Sequence, residues 1–136
     1  MLCKSYKRSN MLLNNYQVNI ISTIQKYVND GWILSFTFSV DPRSDYVGFI
    51  QGSLEFLQGS RLFFKEYVDL QESIEKLSYS FHYQDPDNNL IFRYDNANHQ
   101  PKLGYTDHKH IKDKIISSEI PDIEQVILEI IADYLS

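Results

Sequence analysis

The chain has 136 residues, of which 43% are hydrophobic and 23% charged, a balance typical of a folded domain and unlike that of a disordered chain. Its formal net charge of −5 at pH 7 excludes a strong overall attraction to nucleic acid, although a local cationic site remains compatible with it. The only cysteine is Cys3, which excludes an internal disulfide and a cysteine-rich metal site and fits a reducing cytoplasm.

The length predicts a single domain covering residues 1–136. Residues 1–12 are expected to be an extension without fixed structure, and Met11 is an alternative start for the chain. No run approaches the roughly 18 consecutive apolar residues of a membrane span. We therefore expect a cytoplasmic protein that does not contact the membrane.

The first predicted element is an amphipathic helix over residues 15–30, closed by Asp30 and Gly31. Its apolar residues recur at helical spacing, and they are Tyr16, Ile20, Ile24, Tyr27 and Val28.

From Trp32 the apolar period changes to two, which predicts a strand in which Leu34, Phe36 and Phe38 share one buried face. Similar alternation, with turns such as Gln58–Gly59 between the segments, indicates further strands. The predicted strands cover residues 32–40, 46–57, 60–68, 77–84 and 90–95, and a loop of about a dozen residues follows the last one. Glu66 is unusual because it falls in the apolar register of its strand.

A second helix is predicted from Pro121, which suits a first helical position, with Asp122 and Glu124 at the positive end of the helix dipole. Short connections favour antiparallel neighbours. The predicted fold class is therefore α+β, with an antiparallel, meander-like sheet of about five strands and both helices on one face. The opposite face of the sheet is expected to be polar and exposed, with Ser35, Thr37, Gln51, Glu55, Lys65, His82, Arg93 and Asp95 on it.

All four histidines, His82, His99, His108 and His110, lie within one stretch of 29 residues. Imidazole titrates near physiological pH and is the commonest metal ligand in proteins. Any chemistry is therefore expected in residues 82–110.

Three interpretations remain open for the pattern His108-Lys109-His110. In an extended segment both imidazoles project to one side, where they could serve as acid and base toward a phosphodiester. They could instead bind zinc, with His82 or His99 as a third ligand. A polar loop without a site also accounts for this pattern.

Arg93 and Asp95 are two residues apart on a predicted strand and therefore point the same way. Such an arginine can hold a phosphate with paired donors, or the two can form an ion pair that braces the sheet. Lys65 and Tyr67 are further candidates for substrate binding, with Tyr67 as an exposed stacking surface. No glycine-rich phosphate loop or other catalytic signature is present.

Four segments of the chain together resemble the TumE-like toxins of type II toxin–antitoxin systems: QGSRLFFKEYVD at 58–69, YSFHYQ at 79–84, FRYDNA at 92–97 and HKH at 108–110. The resemblance covers about residues 50–110. Relatives often carry paired histidines where this chain has Asn98-His99-Gln100 and Asp107-His108. The resemblance implies a toxin whose partner is an antitoxin encoded nearby.

The leading hypothesis is a metal-independent ribonuclease that uses no cofactor and acts on RNA. Because so acidic a chain is expected to bind bare RNA weakly, the RNA could be presented by the ribosome or in another bound form. In this hypothesis, His108 and His110 are base and acid, Arg93 and Lys109 hold the phosphate, and Asp95 orients a histidine. His82 and His99 complete the candidate catalytic set. The alternatives are a binding module that blocks a cellular target without catalysis, and a hydrolase that binds a metal through its histidines.

Overall fold

A computed structural model describes residues 11–98 and 104–136, and its main feature is one antiparallel sheet of seven strands in chain order. The strands are β1 (Ile33–Pro42), β2 (Val47–Phe56), β3 (Arg61–Asp69), β4 (Glu75–Gln84), β5 (Leu90–Asp95), β6 (His108–Ile111) and β7 (Lys114–Ser117). The helices are α1 (Leu13–Asn29) before the sheet and α2 (Ile123–Ile130) after it. The predicted α+β meander with two helices is confirmed.

The prediction of about five strands was wrong, because two short strands follow the loop after β5. Both β6 and β7 have only four residues, too few to establish a two-residue period. They are joined by a tight turn in which Lys112 adopts a left-handed conformation with φ of 53°. The segment that carries His108 and His110 is thus the sixth strand of the sheet.

The face of the sheet toward the helices forms the hydrophobic core. Alternate residues of the strands contribute to it, and on β3 to β5 these are Leu62, Phe64, Val68, Tyr79, Phe81, Tyr83, Phe92 and Tyr94. At the start of β1 a bulge between Ile33 and Ser35 changes the register. Ile33 is therefore buried and Leu34 is 60% exposed, the reverse of the predicted alternation at this point.

Both helices pack their apolar sides onto this core. α1 buries Leu13, Tyr16, Ile20, Ile24 and Tyr27, and α2 buries Ile123, Val126, Ile127 and Ile130. Asp122 caps α2, since its side chain accepts the backbone N–H of Gln125 while the Gln125 side chain accepts the N–H of Asp122. Pro121 therefore precedes the cap and is not the first helical residue. After Ile130 the chain continues in a π-helical turn, Ile131–Leu135.

A buried polar cluster explains Glu66 in the apolar register. Glu66 is 2% exposed; its Oε1 accepts a hydrogen bond from Tyr16 Oη at 2.5 Å, and its Oε2 lies 2.9 Å from Lys76 Nζ. Lys76 also donates to the backbone oxygen of Pro121 at 2.7 Å. The cluster thus links α1, β3, β4 and the segment before α2.

Within the described ranges, 11–98 and 104–136, no helix has both the length and the apolar character needed to cross a membrane.

Candidate active site

The face of the sheet away from the helices carries polar side chains in rows that run across the strands. One row contains Phe63, His82, Arg93 and His110, each directly opposite the next on the neighbouring strand. The adjacent row contains Lys65, Ser80, Asp95 and His108. Because opposed Cα atoms are about 5 Å apart, His82 and His110 flank Arg93 with their Cα atoms roughly 10 Å from each other.

Asp95 is the buried acceptor at the centre of these rows. It is 4% exposed; Arg93 Nε donates to its Oδ2 at 2.7 Å and the backbone N–H of Ala97 donates to its Oδ1 at 3.1 Å. Burial opposes ionisation, but these hydrogen bonds and the nearby His108 and Arg93 outweigh it and hold the pKa of Asp95 below its usual value. Asp95 is therefore a carboxylate at neutral pH.

His108 lies beneath the surface of the site. Its side chain has no exposed area, Nδ1 lies 2.7 Å from the backbone oxygen of Thr106, and Nε2 lies 2.7 Å from Asp95 Oδ1. The Thr106 carbonyl can only accept, so Nδ1 carries a proton. This ring fixes the position of the Asp95 carboxylate and does not reach solvent.

His110 is the more accessible histidine of β6. Its Nε2 is 3.7 Å from Asp95 Oδ2, and 21% of its side chain is exposed. The His108 and His110 rings meet edge to face with centroids 4.9 Å apart. His110 can therefore approach a bound molecule while the ring beneath it stays covered.

His82 is held in one tautomer by its two neighbours. Arg93 Nη1 is 3.3 Å from Nδ1, and Gln84 Oε1 is 3.2 Å from Nε2. Arginine has no acceptor, so Nδ1 accepts and Nε2 donates to Gln84. Burial, and then the charge of Arg93, lower the pKa of His82, partly opposed by the Gln84 hydrogen bond. His82 is therefore a neutral base at neutral pH.

An open groove of about 610 Å³ begins at His82 and Arg93 and crosses the sheet toward β1. Its polar lining consists of Thr37, Ser39, Gln51, Ser53, Lys65 and Ser80. A second groove, of about 690 Å³, lies between the start of α1 and β1 and is lined by no histidine. The first groove is the one that connects to the histidine rows.

The other predicted site residues lie elsewhere. Lys109 faces α2, where its Nζ is 2.6 Å from Glu129 Oε2 and lies over the Phe92 and Tyr94 rings. Burial would lower the pKa of Lys109, but Glu129 and Tyr94 raise it. This lysine therefore does not share the face of the two histidines.

Of the remaining candidates, Tyr67 is half-buried and stacks on Phe49 with centroids 4.3 Å apart, whereas Lys65 is exposed and lines the groove. His99 falls outside the described residues, as does the start of the extension predicted for residues 1–12.

Three residues could bind a metal ion together: Asp95, His108 and His110. Each offers one ligand atom, and the three atoms lie within 4.8 Å of one another. The third ligand in this set is thus Asp95, whereas the sequence suggested His82 or His99. The Asp95 oxygens, however, already contact Arg93, the Ala97 N–H and His108. A guanidinium 2.7 Å from the carboxylate also opposes a divalent cation there, so the arrangement fits a hydrogen-bonded network better.

Sequence reasoning missed three residues that shape the site: Gln84, Thr106 and Phe63. Gln84 lies two residues from His82 on β4, a spacing that places both side chains on one face. Thr106 contacts His108 through its backbone oxygen, and no side-chain pattern in the sequence indicates such a contact. Phe63 alternates onto the polar side of β3, and this alternation was the available signal.

Comparison with protein families adds an independent observation. A family model described as "Toxin TumE" matches residues 23–135, a range that includes the whole sheet and α2. Among curated proteins and solved structures, none matches the chain.

Proposed function

Because the chain belongs to the TumE family of toxins, we propose that it is a toxin that cleaves RNA without a metal ion, with His82, Arg93 and His110 as the catalytic residues. The observation that carries this proposal is the row itself. Two imidazoles flank one guanidinium on three adjacent strands, beside an open groove. The proposed base, the arginine proposed to bind phosphate and the proposed acid therefore lie next to one another in a single row across the sheet.

The proposed reaction begins when the phosphate of RNA binds Arg93 and draws its Nη1 away from His82. The RNA 2′-oxygen attacks phosphorus and gives its proton to Nδ1 of His82. The bond from phosphorus to the 5′-oxygen breaks, and this oxygen takes a proton from His110. The products are a 2′,3′-cyclic phosphate and a 5′-hydroxyl end, and each proton transfer contributes roughly 100- to 10,000-fold.

Asp95 and His108 act as positioning residues in this scheme. Asp95 fixes the guanidinium through Nε and leaves the outer nitrogens of Arg93 for phosphate, whose developing charge they stabilise. His82 replaces His108 in the pair of proposed acid–base residues, because the His108 side chain has no exposed surface and cannot reach substrate. Lys109 has no part in phosphate binding, because it lies on the other face.

A second candidate is a metal-dependent hydrolase, favoured by the grouping of Asp95, His108 and His110. In that case His110 would be a ligand, and activity would require a bound divalent ion such as zinc.

The family also suggests an antitoxin partner. We propose that this antitoxin is encoded by a neighbouring gene, in a type II system of the cytoplasm, and that it neutralises the toxin by covering the groove. The net charge of −5 disfavours tight binding of bare RNA, so RNA presented by the ribosome is a suitable substrate.

The test is cleavage of RNA, both free and in purified ribosomes, by the purified, untagged protein with and without EDTA. We expect 5′-hydroxyl products in both conditions, and a loss of at least about 100-fold in His82→Gln and His110→Gln. Arg43→Gln, an exposed arginine outside the rows, is the control and should retain full rate. Loss of cleavage in EDTA with recovery on zinc would favour the metal-dependent hydrolase. Intact RNA with a toxic, folded protein would favour a blocking module.

A further inference from the structure

We propose that Phe63 and Lys65 form a subsite for one unpaired nucleobase and its phosphate, so that the protein selects single-stranded RNA. This inference deepens the proposed function and rests on it. It names a binding surface beside the catalytic row and the class of nucleic acid that fits it.

Phe63 is the stacking surface of this subsite. The side chain is 41% exposed, although it lies on the polar face of the sheet directly opposite His82. The two rings meet edge to face, with centroids 6.2 Å apart. An exposed aromatic ring on a sheet is a surface on which an unpaired base can stack, and here the ring lies next to His82, the proposed base.

Lys65 supplies a cation beside this ring, on the same face of the sheet. It is two residues further along β3 on the same face, about 7 Å away along the strand, and lines the same groove. Among the described residues, it makes no ion pair with a carboxylate. Its ammonium group is therefore available to a backbone phosphate.

The charge of the groove supports an anionic occupant. The residues of the described ranges that line it include two cations, Lys65 and Arg93, and no carboxylate. The whole chain carries 18 acidic residues against 13 basic ones, so this exclusion of acids distinguishes the groove from the rest of the molecule. Gln51, on the groove wall beside Lys65, can both donate to and accept from a base edge.

Duplex RNA does not fit the same surface. Its bases are paired and stacked inside an A-form helix, and aromatic stacking requires a base that is splayed out of the helix. A single strand can instead place one base on Phe63 and its phosphate between Lys65 and Arg93.

The test measures binding of a short, labelled 2′-O-methyl oligoribonucleotide by fluorescence anisotropy. This probe lacks the 2′-hydroxyl and cannot be cleaved. We expect Phe63→Leu to weaken binding about tenfold, whereas Phe63→Trp keeps a stacking ring and should bind at least as well as the natural protein. Lys65→Gln should weaken binding and reduce its salt dependence by about one counterion.

Phe49→Leu is the matched control, because Phe49 is 39% exposed but lies on β2 and outside the residues that line the groove. Its affinity should stay unchanged. The same probe annealed to its complement should bind much more weakly than the single strand.

Two results would overturn the inference: equal affinity of Phe63→Leu and the natural protein, or equal affinity for single strand and duplex. If the natural protein cleaves RNA while Phe63→Leu binds normally, the base subsite is wrong and the ribonuclease stands. If binding depends on Phe63 but no cleavage occurs, the subsite stands and the catalytic proposal fails.

Discussion

The Nε2 atom of His108 lies 2.7 Å from Oδ1 of Asp95, and the His108 side chain has no exposed surface. Two residues later, His110 keeps 21% of its side chain exposed near the same carboxylate. In the proposed mechanism, the two histidines of one short strand therefore have different roles. The buried ring supports the site, and the exposed ring is the one that can transfer a proton to substrate.

His108→Gln and His110→Gln should therefore fail in different ways. His108→Gln disturbs a buried contact and should lower the free energy of unfolding by about 2 kcal/mol. His110→Gln should leave stability within about 0.5 kcal/mol of the natural protein while lowering the cleavage rate by at least about 100-fold. Urea denaturation, alongside cleavage under conditions where both variants are folded, checks this. Equal loss of stability in both would contradict the division of roles.

The pH dependence of activity should reflect His82. Burial and Arg93 lower the pKa of His82 from its usual 6.5, so the base form persists to below pH 6.5. We expect kcat/KM to be flat on the acidic side until pH falls below this value and then to decrease. A pH–rate profile with NMR titration of the His82 ring measures both. An acidic limb that begins above pH 6.5 would exclude His82 as the base.

The same shift predicts a change in stability. Because the folded state holds the His82 pKa below that of the unfolded chain, this residue's contribution is present above pH 6.5 and is lost as pH falls through the folded pKa. His82→Gln should remove this part of the pH dependence. Urea midpoints at several pH values, compared between the two proteins, provide the measurement.

Asp95→Asn should disturb both the fold and the site, because the amide cannot replace the charge that Arg93 and His108 contact. We expect a loss of about 2 kcal/mol in the free energy of unfolding and a large loss of cleavage. The lowered pKa of Asp95 means that its contribution is present above the unfolded pKa and is lost as pH falls through the folded one. Asp113→Asn, in the exposed turn after β6, is the control and should change neither property.

The sequence was sufficient to predict the alternation that builds the two faces of the sheet. The same two-residue period placed His82, Arg93 and Asp95 on the face away from the helices, and the structure brings them together there with His108 and His110. The expectation that Asp95 is exposed was wrong, because it is 4% exposed. The period could not show that His108 is buried, because burial of a polar side chain depends on contacts with residues of other strands, such as Asp95. The strands β6 and β7 were missed for a different reason, because four residues are too few to show a two-residue period.

Charged residues in apolar positions were harder to interpret. Glu66 and Lys109 both face the helices, and each is paired with a residue on another element, Lys76 on β4 and Glu129 on α2 respectively. Such partners are set by how α2 and the strands pack, and no local pattern specifies them. For Lys109 this pairing changes the proposed site, because a lysine bound to Glu129 of α2 lies on the opposite face of the sheet from His82, Arg93 and His110.

The buried cluster around Glu66 should be important for stability alone. Lys76→Met removes the cation that pairs with Glu66. Because Glu66 is only 2% exposed, its charge is then buried without a partner, and we expect a loss of about 3 kcal/mol in the free energy of unfolding. The double variant Glu66→Gln, Lys76→Met should recover part of this loss, because it removes the uncompensated charge. Denaturation of the single and double variants tests the coupling, and a double variant less stable than Lys76→Met would contradict it.

RNA from cells that express the protein tests the central claim most directly. We expect discrete new 5′-hydroxyl ends when the natural protein is induced, and none when His110→Gln is induced at the same level of folded protein. Growth arrest without new RNA ends, or the same ends produced by His110→Gln, would show that the row of His82, Arg93 and His110 is not the source of toxicity.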